Sequence, residues 1–440
     1  MYEKLCDFQN LYKAHKLARR GKRGNREVIL FEMNLAENLV KLQQALQEGT
    51  YRVQGYYTFP VHDPKERTIH ALHYRDRVVQ HALCDEILSP VLEKHLIYDN
   101  AACRIGKGTD FALDRTEEFM RRMYRAGERD GWILRFDIRK FFDNIDHEIL
   151  KQRLRLLFTE EPLYALLCGI IDSYHTLEGK GLPLGNQTSQ WFALWYLDPL
   201  DRLIKEKLRL KYYSRYMDDG VILHPDREYL KRCLREMTEL TEKDLKLVFN
   251  EKTQLSPMKN GANYLGWHLY LTETGKVVRK LKRQSKVRAR HRLKRLEEDY
   301  RAGRVGLPYA QQVIKSYFGH LSHGNTWRLR KKLLCSVTLT HEPKEDTKKE
   351  NLSPTPQPEQ DDKISSKVGD KLASLNKTQK RILEEMEKDP HITQPQLMQK
   401  LNLGRTAIQN HVSFLRKNGF IERIGANKNG TWEIMIRSEQ

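Results

Sequence analysis

Tyr216-Met217-Asp218-Asp219 stands between Tyr212-Tyr213-Ser214-Arg215 and Gly220-Val221-Ile222-Leu223. Two adjacent carboxylates sit where one apolar, β-favouring run passes into another, a pattern that predicts a β-hairpin with the Asp pair at its tip. Adjacent anions repel, and keeping both ionised is costly unless a cation holds them. A divalent metal resolves the conflict; Mg²⁺ takes a few hard oxygen ligands together with substrate phosphates. A bare Asp-Asp pair is more often an exposed turn, because Asp is turn-prone. Here the surrounding sequence decides.

A third carboxylate lies upstream, in Trp132-Ile133-Leu134-Arg135-Phe136-Asp137-Ile138. Its apolar run reads as a buried strand ending in Asp137, followed by a turn into a helix over 148–158. Two metal ions about 4 Å apart need carboxylates from separate segments, so that the attacking and leaving oxygens are both served. Asp137 from one strand, with Asp218 and Asp219 from a neighbouring hairpin, would supply them. Asp143 and Asp146 read instead as a turn and a helix cap.

With these boxes the chain resembles the reverse transcriptases, in particular the bacterial ones. Asp137 and Tyr216–Asp219 resemble the two metal-binding palm motifs, in order. Asp76-Arg77-Val78-Val79-Gln80 is similar to the fingers motif of group II intron-related enzymes, and Ala102–Thr109 to the segment after it. Gly181-Leu182-Pro183-Leu184-Gly185-Asn186-Gln187-Thr188-Ser189-Gln190 resembles the motif lining the nucleotide pocket. Asn250-Glu251-Lys252-Thr253 and Tyr264-Leu265-Gly266-Trp267 resemble the last palm motif and the primer grip. Many group II-type enzymes carry Ser-Pro where this chain has Ser189-Gln190; a Gly-Asn-x-x-Ser-Gln pattern is similar to the enzymes of diversity-generating retroelements, which copy a template repeat with errors at adenines. A defence-associated or group II intron-like reverse transcriptase is the alternative. The chain shows no Asn-Ala-x-x-His or Val-Thr-Gly box of the retron kind, and no Cys/His-rich endonuclease module after the thumb.

The resemblance implies an α+β right-hand polymerase of fingers, palm and helical thumb. It implies RNA-directed DNA synthesis with two Mg²⁺ ions on Asp137, Asp218, Asp219 and a backbone carbonyl near Ile138. Lys252 would stand near the leaving pyrophosphate as a proton donor. Lys65 and Arg67 would grip the triphosphate, beside a nucleotide pocket of Leu184, Gly185 and Gln190. Phe142, five residues beyond Asp137, takes the steric-gate position that excludes a ribose 2′-hydroxyl, and Leu265, Gly266 and Trp267 the primer grip. The implied partners are an RNA template, a DNA primer or target and dNTPs; the diversity-generating reading adds a small basic accessory protein.

Composition suits that reading. A net charge of +20 and a pI near 9.5 favour a polyanionic partner. Six scattered cysteines include no Cys-x-x-Cys pair, which argues against a zinc site or a disulfide framework and for a reducing cytoplasm. No apolar stretch approaches a membrane span, and the first residues read as no signal peptide, so no membrane partner is expected. Arg104–Thr109 lacks the first glycine of a phosphate-binding loop. The histidines of the N-terminal third have no metal-ligand spacing.

Shifts in composition mark the organisation. Residues 1–60 read as a basic helical extension, with helices over 13–26 and 35–46. Residues 61–270 carry the motifs as fingers and palm. Residues 271–340 read as the thumb: from Lys276 to Arg304 there are 13 Lys/Arg against 3 acids, a basic helix suited to a duplex backbone. Residues 341–374 hold four prolines and no Phe, Trp or Tyr and read as a tether that can bury no core.

Residues 375–440 read as a second module. Helical spacing over 376–388, a Thr393/Gln396 capping box and a helix over 405–418 capped by Gly419 precede two alternating strands around Asn427–Gly430. The pattern resembles a winged helix-turn-helix domain. In its third helix Ile408, Val412 and Leu415 would face inward, leaving Arg405, Gln409, Asn410 and Ser413 for phosphates and base edges. A partner-docking role is the alternative, since fold does not fix function. A different class of reading, a DNA-tethered regulator that binds nucleic acid without synthesis, is disfavoured by the presence of all three carboxylates.

Overall fold

The computed structural model describes residues 1–62, 66–340, 377–401, 403–417, 420–424 and 431–434. The chain divides into two compact units, Met1–Lys344 and Glu345–Gln440. The 341–374 tether lies outside the described residues.

Helices Tyr2–Cys6, Phe8–Ala18, Arg26–Met33 and Leu35–Gln47 open the first unit and bury Leu5, Leu11, Leu39 and Leu46. The helix expected over 13–26 is broken in two. Gly21 adopts a φ of 69°, a left-handed conformation open to glycine at little cost, and Asn25 caps the restart by accepting from the Glu27 N–H at 2.9 Å. Next come antiparallel strands β1 (Tyr56–His62) and β2 (Glu66–Leu72), then helix Tyr74–Leu83. Asp76 of that helix is buried but satisfied, accepting from the Tyr51 hydroxyl at 2.8 Å and the Gln54 N–H at 2.9 Å.

The central sheet contains β3 (Trp132–Phe136), β4 (Tyr212–Tyr216), β5 (Asp219–His224) and β6 (Gln254–Pro257), in the order β4-β5-β3-β6 and antiparallel throughout. Apolar β-branched and aromatic residues make these strands: Ile133, Leu134, Phe136, Tyr213, Val221, Ile222 and Leu223 are all buried. Asp146 caps helix His147–Arg155, accepting from the Ile149 N–H at 3.2 Å, as expected. Asp143 lies within a short helix, Phe141–Asn144, where a turn was expected.

A second sheet follows, β7 (Ala262–Tyr264), β8 (Trp267–Leu271) and β9 (Val277–Leu281), in that order. The basic segment after Lys276 is therefore not helical from its start. Val277, Arg279 and Leu281 alternate inward, a period of two that pairs with β8. The basic helix runs Arg283–Arg301, followed by Leu307–Ser322 and Trp327–Leu334. Buried Arg279 ties β9 to helix Thr109–Arg125, its Nε donating to Glu117 at 2.8 Å.

In the second unit, helices Lys377–Lys388, Gln394–Leu401 and Arg405–Lys417 precede antiparallel β10 (Ile421–Ile424) and β11 (Thr431–Ile434). Ile382, Met386, Ile392, Leu397, Ile408, Val412, Leu415 and Trp432 form its core. The Thr393 N–H donates to Gln396 Oε1 at 2.9 Å, closing one arm of the capping box. Gly419 and Asn427–Gly430 lie outside the described residues.

Candidate active site

The pairing of β3 with β5 sets Phe136 opposite Gly220. Carried on in the same register, Asp137 falls opposite Asp219 and Ile138 opposite Asp218. The β4–β5 hairpin closes at the pair Tyr216–Asp219, leaving Met217 and Asp218 as a two-residue turn, with Met217 at a φ of 54°. Local sequence thus makes the turn, and sheet pairing brings the third carboxylate to it.

Gly220 is what allows the strands this close. A Cβ there would sit 2.2 Å from the ring of buried Phe136. Any side chain would push Phe136 aside, and Asp137 is its neighbour in the chain.

Burial and neighbouring charge perturb Asp218 and Asp219. Burial pushes Asp218 up from the ordinary range, and Asp137 adds to this by its charge and by a hydrogen bond that requires a shared proton. Burial also pushes Asp219 up, to about 7; Arg135 and Lys282 oppose the shift, and Asp137 and Asp218 reinforce it. Asp219 Oδ1 is buried without a hydrogen-bond partner. Among the described residues no three His, Cys, Asp or Glu side chains close around a common point. The donor set nonetheless fits a divalent cation. An orphaned carboxylate oxygen and two acids whose ionisation burial disfavours are what a cation would satisfy.

Ile138 forms an isolated antiparallel bridge with Phe249. The flanking bonds run from the Arg139 N–H to Val248 at 2.9 Å and from the Asn250 N–H to Asp137 at 2.7 Å. In that pattern the N–H and C=O of Ile138 itself point away from Phe249, to the side on which β5 lies. The same contact places the Asn250–Thr253 turn against the Asp137 backbone. Lys252 is exposed on that turn, its N–H bonded to Asn250 Oδ1 at 3.1 Å.

The β7–β8 hairpin approaches from the other sheet. The Tyr264 hydroxyl donates to the Asp219 carbonyl at 3.3 Å. Leu265 and Gly266, with φ of 43° and 89°, form the tip. Trp267 is buried against His320, ring centroids 5.5 Å apart, so the hairpin offers its surface through Leu265–Gly266.

Phe142 is half-buried, edge-on to Phe141 at 5.5 Å, and its carbonyl accepts from the Leu182 N–H at 2.8 Å. The Gly181–Gln190 motif is only in part a loop. Gln187–Tyr196 is helical, and Gln190 sits in its first turns, accepting from the Cys103 thiol at 2.9 Å. A cavity of about 490 Å³ opens between this helix end and the β1–β2 hairpin, lined by Phe59, Ile69, Arg77, Gln80, Gly185 and Gln190 among others. Leu184 is half-buried beside it. Arg67 is exposed on β2 opposite Val61. Lys65 lies outside the described residues.

Residues 60–269 match the reverse transcriptase (RNA-dependent DNA polymerase) family. The chain carries a reverse transcriptase domain. Residues 375–422 match the winged helix-turn-helix DNA-binding family, so a winged-helix domain follows. No curated protein matches the chain. Among solved structures, apo telomerase from Candida tropicalis aligns at 14% identity and a TM-score of 0.38, over 50% of this chain and 47% of that one. The form truncated from its C-terminal domain aligns at 14% and 0.39, over 56% and 60%. The chain thus spans about half to three-fifths of those proteins.

Two parts of the reverse transcriptase domain escaped sequence reasoning. One is Tyr264, read only as part of a motif. The other is Arg215, a lone cation inside an apolar strand, which is wholly buried; a charge in such a run was the available signal. In the winged-helix domain Gln409, Asn410 and Ser413 are exposed, opposite the buried face of Ile408, Val412 and Leu415. Arg405 opens their helix; its side chain is outside what is described.

Proposed function

We propose that this chain is an RNA-directed DNA polymerase that extends a primer along an RNA template with dNTPs. The observation that carries the reading is the strand register that brings Asp137 to Asp218 and Asp219. Bound there, two Mg²⁺ ions would supply charge neutralisation for the attacking 3′-oxygen and the departing pyrophosphate. Asp137, Asp218 and Asp219, with the Ile138 carbonyl, would hold them. Lys252, on the turn bonded to Asp137, would protonate the departing pyrophosphate. Phe142 would exclude ribonucleotides, and Gly185, Leu184 and Gln190 would line the nucleotide pocket with Lys65 and Arg67 on the triphosphate. Leu265–Trp267 would seat the primer end. An RNA–DNA hybrid is recognised by shape and phosphates, which suits the basic helix Arg283–Arg301.

Within the family the Ser189-Gln190 pair favours a diversity-generating retroelement enzyme, error-prone at template adenines and working with a small basic accessory protein. Among the described residues no helix is long and apolar enough to cross a membrane; the scattered cysteines, with no Cys-x-x-Cys pair, favour a cytoplasmic location. The winged helix would hold duplex DNA through Arg405, Gln409 and Asn410.

Incorporation of dNTPs on a primed RNA template, with and without Mg²⁺, tests the reading. Wild type should synthesise only with the metal. Asp218→Asn, a near-isostere without the charge, should lose synthesis while keeping its fold and template binding. A variant retaining more than about a tenth of the wild-type rate would contradict metal catalysis. An inert wild type that still binds primed RNA would favour the non-catalytic regulator.

A further inference from the structure

Arg215 lies two residues before Met217, on the strand that leads into the catalytic turn. Its side chain is wholly buried, as is that of Asp201 from helix Asp198–Arg202. The two meet in a bidentate pair: Nε donates to Asp201 Oδ1 at 2.8 Å and Nη2 to Oδ2 at 2.5 Å. The Tyr213 hydroxyl donates to the same Oδ1 at 2.6 Å. These bonds fix the plane of the guanidinium. They leave Nη1 aimed at the turn, where it donates to the Met217 carbonyl at 2.6 Å.

That carbonyl belongs to the peptide joining Met217 to Asp218. Met217 has a left-handed φ of 54°, a conformation costly for a residue with a side chain and kept only when its surroundings impose it. The strand bearing Arg215 is fixed as well. The Arg215 N–H donates to the Asp99 carbonyl at 3.1 Å, and the Arg215 carbonyl accepts from Ala101 at 2.9 Å. Arg215 is therefore rigid at backbone and side chain, and its free edge holds a strained peptide beside a carboxylate.

We infer that Arg215, oriented by Asp201, is a positioning residue that sets the Met217–Asp218 turn so that Asp218 and Asp219 face Asp137 in the geometry a metal needs. The inference rests on the polymerase reading above. A buried ion pair of this kind gives little net stability over well-packed apolar residues. Its three-point geometry is something only a guanidinium's planar fork can supply, because lysine's ammonium gathers its three N–H donors on one nitrogen.

The test uses the full chain with Arg215→Lys, Asp201→Asn and, in a Tyr213→Phe background that removes the hydroxyl bonded to Asp201, the paired change Arg215→Met with Asp201→Leu, which keeps a charge-free core. Thermal melts give the folded fraction. Steady-state incorporation on a primed RNA template gives kcat, the dNTP KM and the Mg²⁺ concentration for half-maximal rate. Asp218→Asn is run alongside.

In Arg215→Lys, kcat should fall about 10- to 100-fold, the loss expected from misplacing a catalytic group by up to 1 Å. Its dNTP KM should stay within about twofold, as for an interaction that acts on the transition state, and its Mg²⁺ requirement should rise severalfold. The Met/Leu pair should melt near wild type yet be as slow. The proposal is overturned if the Met/Leu pair synthesises like wild type, or if every variant loses synthesis only in step with its folded fraction and keeps the wild-type Mg²⁺ requirement. Either result makes Arg215 a structural brace. Retained synthesis in Asp218→Asn would instead remove the polymerase site itself.

Discussion

Gly220 and Asp219 act at the scale of single residues. Gly220→Ala would drive a methyl into Phe136, and overpacking of that kind costs about 1–3 kcal/mol. The larger expected effect is on activity. Phe136 precedes Asp137, so displacement by roughly 1 Å should lower synthesis about a hundredfold, with a modest fall in melting temperature; unchanged incorporation would mean the ring moves aside without shifting the carboxylate. Asp219 carries a pH signature. Its folded pKa is raised to about 7, chiefly by burial, above the unfolded value near 3.9. The folded, metal-free protein therefore binds the extra proton between those values. Stability should fall as pH rises from about 4 through 7 and level off above. A divalent cation held by Asp219 would take the place of the proton, so Mg²⁺ should raise the melting temperature more at pH 8 than at pH 5. Asp219→Asn should flatten that difference. An equal Mg²⁺ shift at both pH values, in wild type, would count against the assignment.

At the scale of elements, the proposed nucleotide pocket depends on where helix Gln187–Tyr196 begins. Gln190 is helical and tied to Cys103, so its amide orientation is set by a neighbouring segment. Replacing it with proline removes that amide and, this close to the helix start, a backbone donor as well. On an adenine-rich template Gln190→Pro should change the error spectrum, most of all opposite adenine. A spectrum identical to wild type, or a wild type already accurate at adenines, would remove the diversity-generating reading and leave the polymerase intact. The β9 strand makes a related point. Its residues carry the same basic composition as the helix that follows, yet edge pairing with β8 and the Arg279–Glu117 contact draw them into the sheet.

Across the whole molecule, the chain divides into two compact units, Met1–Lys344 and Glu345–Gln440, each with its own apolar core. Cutting near Ser353 should therefore separate two activities. The 1–340 fragment should keep Mg²⁺-dependent synthesis. The 371–440 fragment should fold alone and bind duplex DNA with an affinity that falls steeply with salt. Alanine at Arg405 should weaken that binding by about 1–3 kcal/mol if the side chain reads a base edge. A folded fragment silent toward DNA at low salt would reassign it as a partner-docking module. Loss of synthesis in a folded 1–340 would bring the winged helix into the substrate channel.

The hairpin was legible in sequence because two β-favouring apolar runs flank turn-prone acids, although the turn falls at Met217–Asp218 and Asp219 is drawn into β5. The same holds for the second module, whose helical spacing and capping box are local signals. Asp137 could be named as the third carboxylate, but its place opposite Asp219 is a matter of register between strands more than eighty residues apart. No local rule sets that register; burial of Phe136 against Gly220 does. The break at Gly21 and the strand β9 were missed because basic composition says nothing of backbone conformation. Arg215 was passed over for a related reason. Its charge was visible, but the buried Asp201 that satisfies it and the Met217 carbonyl that it holds come together only through packing of helix Asp198–Arg202 and strands β4 and β5. A sequence names the groups that can carry charge, whereas the distances at which those charges are satisfied belong to the tertiary fold.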